Sequence, residues 1–373
     1  MGKIWANSGD SHLVEPEDVF SARMPADLAA RMPRSVKEAD GRHETVFVDG
    51  KEFRRRLPGA NLTDPETGLS VGDRAPGAND PHLRLRDLDE EGIWAELIYP
   101  SIGIWASSVE DPVLLAAGCR AINDWAIEFQ RVSDRFVCAA SVPLLSIDDA
   151  VAEIERSADL GFKSAFFSVA PPPQQVPFQR EEWEPVWSAL EETSMVIAFH
   201  IGTEPHDAGG ANGLYHRGPG GAVMNYFETT FGGQRATAAL IASGVFDRHP
   251  GLRIIISEGG ATWGPFLADR LDEGYRQHQS AVRPKLSRLP SEYLYTQVWA
   301  SFQHDRSAVA AATAMGWTNV CWGSDYPHLE GTYGHTQKTL HELLDDADPV
   351  AARRIAVGAF QELFPHVPDA PTA

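Results

Sequence analysis

Residues 249–260 read His-Pro-Gly-Leu-Arg-Ile-Ile-Ile-Ser-Glu-Gly-Gly. A turn-forming His249-Pro250-Gly251 leads into a short β-branched run, which stops at an acidic residue, Glu258, and two glycines. Consecutive apolar positions of this kind suit a strand buried on both faces, as in a parallel sheet. A carboxylate at the carboxyl end of such a strand sits where parallel α/β folds carry their chemistry. The same grammar recurs on both sides. Upstream, the runs 4–10, 95–99, 136–142, 164–169 and 196–200 are β-prone, and downstream 295–301 and 320–324 follow, which with 253–258 makes eight.

Helix punctuation lies between most of these runs. Asp111 followed by Pro112 opens an apolar-periodic stretch to Arg131, an acceptor cap with proline at the first helical position. Ser146 with Asp149 resembles a capping box, and that helix ends near Gly161. Further helices are predicted over 181–192, 234–243, 262–278, 306–315, 335–344 and 349–364. The alternation predicts a single (β/α)8 TIM barrel domain over 1–373. A doubly wound open sheet lacks its usual support, because no G-x-G-x-x-G follows the first strand. Two segments exceed a minimal barrel. Residues 21–86 form an insertion or arm after strand 1, with a hairpin where Asp49-Gly50 separates 44–48 from 51–55. Residues 202–233 form a Gly-rich lid loop after strand 5, containing Gly218-Pro219-Gly220-Gly221. Both follow carboxyl ends of strands and are predicted over the mouth.

Composition narrows the partners. At 373 residues and 43% hydrophobic, the chain has material for a large core. With 32 basic and 52 acidic residues the net charge is −20, which repels nucleic acid and anionic membranes. Cys119, Cys138 and Cys321 form no Cys-x-x-Cys pair, so neither a disulfide scaffold nor a thiolate zinc site is indicated. No apolar run reaches about 18 residues, and no signal-peptide pattern is present. A cytoplasmic protein is expected.

Polar residues interrupt the strands at their carboxyl ends. Asp10 and His12 are an i, i+2 pair, which in extended chain points both side chains to one face. His200, Glu258 and Asp325 end or follow three further runs. Singly, each suits a turn, a cap or a packed histidine. Gathered at one end of a barrel, the carboxylates would raise one another's pKa unless a cation neutralised them. Carboxylate oxygen with imidazole nitrogen suits Zn, Mn or Fe, one or two divalent ions per chain.

These motifs resemble a known family. Asp10-Ser11-His12 with Glu15-Pro16, Phe199-His200, His249-Pro250-Gly251-Leu252-Arg253 leading to Glu258-Gly259-Gly260 and Trp263, and Trp322-Gly323-Ser324-Asp325-Tyr326-Pro327-His328 occur in the order found in the amidohydrolase superfamily. The branch they are similar to is amidohydrolase-2, which includes aminocarboxymuconate-semialdehyde decarboxylase-like and resorcylate decarboxylase-like enzymes. The resemblance runs over 4–364 and implies a metal-bearing distorted barrel. It implies Asp10 and His12 as first-strand ligands, His200 as the fifth-strand ligand, and Asp325 as a ligand that also moves a proton. Glu258 stands where decarboxylase relatives carry a catalytic histidine, so their mechanism does not transfer intact; it is expected to serve as a base or a further metal ligand. Ala359 replaces the family's asparagine near the last helix end.

The resulting expectation is a metal-dependent hydrolase or decarboxylase of a small organic acid, amide or ester, with Asp325, Glu258 and His200 catalytic. Glu15, His304, His328 and His216 are candidates for a second metal or for substrate contact. Arg217 and Lys285 could bind a carboxylate, and Trp105, Tyr215, Tyr226 and Trp263 could line an apolar pocket. Two alternatives stand beside this: a dinuclear Fe/Mn oxygenase on the same barrel, and a metal-stabilised non-catalytic subunit. A homo-oligomer, or a hetero-oligomer with a paralogue, is the expected assembly.

Overall fold

The structure is a computed structural model and describes residues 2–40, 43–56, 75–101, 108–203, 216, 218–328 and 330–371. Its strands in chain order are β1 (Ala6–Ser8), β2 (His12–Leu13), β3 (Arg34–Lys37), β4 (His43–Val48), β5 (Lys51–Arg56), β6 (Ile93–Pro100), β7 (Phe136–Ser141), β8 (Ser164–Ser168), β9 (Val196–His200), β10 (Ile254–Ser257), β11 (Val298–Phe302) and β12 (Val320–Trp322). The order β1-β6-β7-β8-β9-β10-β11-β12 is parallel throughout, with β2 pairing β6 as a continuation of β1. Closure between the first and last strands is made by Gly9 N donating to Trp322 O (2.8 Å), Asp325 N to Asp10 O (2.9 Å) and His12 N to Tyr326 O (2.6 Å). The result is a nearly closed (β/α)8 barrel. Gly323 permits this approach, since a Cβ there would lie 2.9 Å from the Asp10 Cβ.

Side chains alternate between two cores, as the pleat requires. Leu97, Tyr99, Val137, Phe166, Ala198, Ile255, Trp299 and Cys321 point into the barrel with Phe360 and Phe364, while Ile98, Phe167, Phe199, Ile254 and Ile256 face the surrounding helices. The last helical stretch closes the amino-terminal end: Trp299 Nε1 donates to Ala359 O (3.1 Å). Open space for chemistry therefore lies at the other end.

Local signals read from the sequence are realised in detail. Asp111 caps helix Pro112–Gln130 by accepting from the Val113 and Leu114 amides, and Ser146 caps Ile147–Leu160. Asp49 and Gly50 take φ of 47° and 75°, the pair of positive values a two-residue hairpin needs, and β4 pairs antiparallel with β5. The β3-β4-β5 sheet is seated by Val46 and Val48 against Leu114, Leu115 and Ile122.

Four expectations need correction. The first strand is not continuous over 4–10; it breaks between β1 and β2. Residues 295–297, expected in the seventh strand, end the helix Pro290–Gln297, whose start is fixed by Pro290 and by Glu292 Oε2 accepting from the Leu289 amide (2.8 Å). Part of the 21–86 insertion belongs to the helix Pro81–Glu91, capped by Asp80. Of the 202–233 lid, residues 204–215 and 217 lie outside the described residues, and from Gly221 the chain is helical to Ala242. Gly233 serves close contact rather than looseness: a Cβ there would stand 2.4 Å from Ile256 Cγ2.

Candidate metal centre at the barrel mouth

Five donors from four barrel strands converge on one point. Asp10 lies between β1 and β2, His12 opens β2, His200 closes β9, and Glu258 and Asp325 follow β10 and β12. His200 Nε2 is 3.4 Å from Asp10 Oδ1 and 3.4 Å from Glu258 Oε2. His12 Nε2 is 3.4 Å from Asp325 Oδ1 and 3.7 Å from Asp10 Oδ1. His328 joins from the loop after β12, with Nδ1 2.7 Å from Asp325 Oδ1 and its ring stacked on His12 at 4.1 Å. Three donor triads have atoms within 4.8 Å of one another: Asp10-His12-His200, His12-Asp325-His328 and Asp10-Glu258-Asp325.

The backbone is bent to achieve this. Glu258 and Asp325 have φ of 59° and 52°, the left-handed region that non-glycine residues rarely occupy. Strain of this kind, of order 1 kcal/mol or more per residue, persists where the surroundings enforce it and concentrates at functional sites. The Glu258 amide donates to Ser301 Oγ (3.2 Å), and Ser8 Oγ holds the Ser324 amide (2.9 Å). Below the donors, Tyr99 packs edge-on against His200 and donates to Ser257 Oγ (2.7 Å), which itself donates to Gly9 O (2.8 Å).

The donor set fits a cation on its own chemistry. Both oxygens of Asp10, both nitrogens of His12, His200 Nε2 and Asp325 Oδ2 are buried without a hydrogen-bond partner. Buried polar atoms are nearly always satisfied, so a convergent group left this way needs something to bind. The His200 imidazole is oriented for that role, its Nδ1 held by Ile201 O at 2.8 Å.

Electrostatics separate the groups. Burial, then the Asp325 charge, pushes Glu258 well above the usual carboxyl range. Asp10 is raised chiefly by burial. Asp325, despite equal burial, is held below its ordinary value by His328 and His12. Burial and the nearby His328 lower His12, whereas His200 overcomes burial through Asp10 and Glu258 and is raised to about 9. His328, opposed by burial, is raised to about 10 by Asp325.

Other candidates sit apart. His304 Nε2 is 3.2 Å from Glu330 O, and His216 Nε2 is 3.2 Å from Glu228 Oε2; neither these two nor Glu15 joins a metal-capable group among the described residues. Lys285 lies after the helix Trp263–Gln277, hence at the opposite end of the barrel, and donates to Gln279 O. Trp263 is core, edge-on to Trp317 at 5.5 Å. Tyr226 is near the mouth: partial burial and the Glu258 charge push its hydroxyl up to about 12. Arg217, Trp105 and Tyr215 lie outside the described residues.

One group escaped the sequence reading. Arg84 and Glu96 are fully buried and form a two-pronged ion pair (2.5 and 3.0 Å), and Arg84 Nη1 donates to His12 O (2.7 Å). The available signal was Glu96 itself, a carboxylate inside the apolar run Ile93–Pro100 that demands a buried partner.

Comparisons with known proteins bear on the family and the fold. A family model described as Amidohydrolase matches residues 59–364. The γ-resorcylate decarboxylase of Rhizobium radiobacter is 24% identical over 259 residues, 65% of this chain and 76% of that protein. Among solved structures, an amidohydrolase from Mycobacterium avium subsp. paratuberculosis K-10 superposes with a TM-score of 0.77 at 21% identity, covering 97% of this chain and 100% of that one. A dihydroxybenzoic acid decarboxylase from Polaromonas, solved with manganese and an inhibitor, gives 0.63 at 17% identity, covering 97% of both chains.

Proposed function

This chain belongs to the amidohydrolase family, and from that premise we propose that it is a metal-dependent enzyme catalysing non-oxidative decarboxylation of a small organic acid. The observation that carries the reading is the convergence of Asp10, His12, His200 and Asp325, with unsatisfied donor atoms, beside a buried carboxyl on β10's end. Those four residues would hold a divalent ion. When bound, it supplies electrophilic activation of a substrate oxygen. Manganese in the Polaromonas relative supports that choice among Zn, Mn and Fe.

The chain's own groups supply the proton. Decarboxylation breaks the bond to the carboxyl carbon, releases CO2 and leaves an electron pair that must be protonated. Glu258, kept in its acid form by burial and by Asp325, is the donor in place of the relatives' histidine. His328, paired to Asp325 at 2.7 Å, keeps that neighbour ionised. Hydrolysis is the second reading, favoured by the same ionised Asp325, which can take a proton from water. Dioxygen chemistry finds no support in the comparisons, and family membership speaks against a non-catalytic subunit.

The test is turnover of manganese-loaded protein on γ-resorcylate and related hydroxybenzoates, beside a panel of amides, esters and lactones. CO2 release, equal with and without oxygen and lost in His200→Ala, is expected. Acyl cleavage without CO2 would transfer the assignment to hydrolysis, and no turnover of loaded protein on either panel would reject it. For the assembly we propose a homo-oligomer, to be read by light scattering. Val223, Met224, Tyr226 and Phe227, exposed on one helix, are the surface it would cover. Three buried free cysteines fit a reducing compartment, and among the described residues no helix is long and apolar enough to cross a membrane.

A further inference from the structure

We propose that Arg84 is a positioning residue for the metal centre, locking the backbone of His12 to the segment that carries Asp325. The inference rests on the metal reading above. Arg84 lies on the helix Pro81–Glu91, outside the barrel wall and outside the ligand set, yet it is fully buried. Its guanidinium is fixed by both oxygens of Glu96 on β6. From that anchor it reaches two places at once. Nη1 donates to the carbonyl of His12, and the guanidinium carbon lies over the ring of Tyr326, the residue after Asp325, 4.5 Å from its centroid. Tyr326 is held from its far end, its hydroxyl donating to Asp87 Oδ2 (2.6 Å), one turn along the same helix. Asp87 Oδ2 also accepts from the Gly77 amide (3.0 Å).

The two ligand-bearing segments meet at the barrel seam, where His12 N donates to Tyr326 O. The backbone bonds at the seam set the register of the two segments, and Arg84 adds a side-chain bridge that ties both to one helix. Arginine suits this and lysine does not: a planar fork satisfies a carboxylate with one edge, a carbonyl with another and an aromatic ring with its face. Outer groups that orient ligands are typically worth 10- to 100-fold in metal affinity.

The experiment measures Mn2+ dissociation constants of the full chain by chelator competition, with the melting temperature of the metal-free protein recorded in parallel. Arg84→Lys keeps the charge and loses the fork; Tyr326→Phe keeps the ring and loses only the hydroxyl. Gln297→Ala is the control, because Gln297 bridges the His249 and Leu252 carbonyls (3.1 and 3.0 Å) at the opposite end of the barrel. The expected result is Mn2+ binding weakened about 10-fold or more in Arg84→Lys and several-fold in Tyr326→Phe. Gln297→Ala should lose thermal stability with its Mn2+ affinity unchanged. Should Arg84→Lys fail to fold, Tyr326→Phe decides alone. Affinity changes no larger than the control's, at matched loss of stability, overturn the proposal. A wild-type chain that binds no Mn2+ instead rejects the metal reading on which it stands.

Discussion

Two of this molecule's histidine–carboxylate clusters, at the mouth and on the outer wall, differ in one respect. At the mouth, His12, His200, Asp10 and Asp325 leave six or more buried polar atoms without hydrogen-bond partners. On the outer wall ahead of β10, His249 is fully engaged: Nδ1 lies 2.9 Å from Glu191 Oε2 and Nε2 3.1 Å from Glu184 Oε2. Glu191 also accepts from the Gly251 amide (2.7 Å), and Glu184 from Arg248. The outer cluster is complete in itself and fastens a helix to the turn before a strand. The mouth cluster is not, its donor atoms being left without such partners. Residue type does not separate architecture from chemistry here; satisfaction does.

The comparison can be broken most directly by function. Replacing His200 with Ala, or Asp325 with Asn, is expected to lower metal-dependent turnover by about three orders of magnitude or more while the circular dichroism spectrum stays largely unchanged. Replacing His249 should leave kcat per folded molecule intact. Equal losses at both histidines, measured on folded protein, would erase the distinction.

Metal removal should act on one cluster only. With free Mn2+ a hundredfold above its dissociation constant, the folded state gains about 2.7 kcal/mol. Calorimetry with and without EDTA should therefore show a fall in melting temperature in the wild type and in Glu191→Gln, and none in His200→Ala. A shift persisting in His200→Ala would place the cation elsewhere.

Metal-free stability should move in opposite directions in the two places. Asp10→Asn removes a carboxylate whose burial outweighs its pairing with His200 (3.4 Å), so it is expected to be neutral or stabilising by about 1 kcal/mol. Glu191→Gln removes a carboxylate that holds an imidazole and an amide, and should cost about 1–2 kcal/mol in urea denaturation. Matching signs would sink the idea that satisfaction is the difference.

The smallest expected effect is the outer cluster's pH response. Burial tends to raise Glu184, but hydrogen bonds from Arg248 and His249 outweigh it and hold the carboxyl below its ordinary value of 4.5. A carboxyl depressed in the folded state stabilises at neutral pH, and that contribution is lost as pH falls below 4.5 toward the lower folded value. Because the pair is partly exposed, the loss should be under about 1 kcal/mol, visible as a slope in melting temperature that Glu184→Gln flattens.

What the sequence made legible follows from strand ends. An apolar run cannot hide a terminal charge, so His200, Glu258 and Asp325 announce themselves, and the i, i+2 spacing of Asp10 and His12 fixes their common side. Relations between distant segments carry no such mark. Nothing local says that Arg84 reaches His12 O, that Tyr99 floors the site, or that His328 rather than His304 meets Asp325. Glycine was the misleading signal at 221–233, because close helix-to-strand contact and loop flexibility draw on the same residue. Lys285 was misplaced for want of polarity: only segments that follow strands reach the mouth.

The seam has a consequence for how the protein comes to be active. Ser8 and Ser324, whose hydroxyls meet at 3.0 Å, stand 316 positions apart, so Asp325 meets Asp10 and His12 only when the cylinder closes. A nascent chain stopped short of β12 carries Asp10, His12, His200 and Glu258 but not Asp325. The gathering of all five donors is thus a product of closing the cylinder, through contacts of long sequence separation.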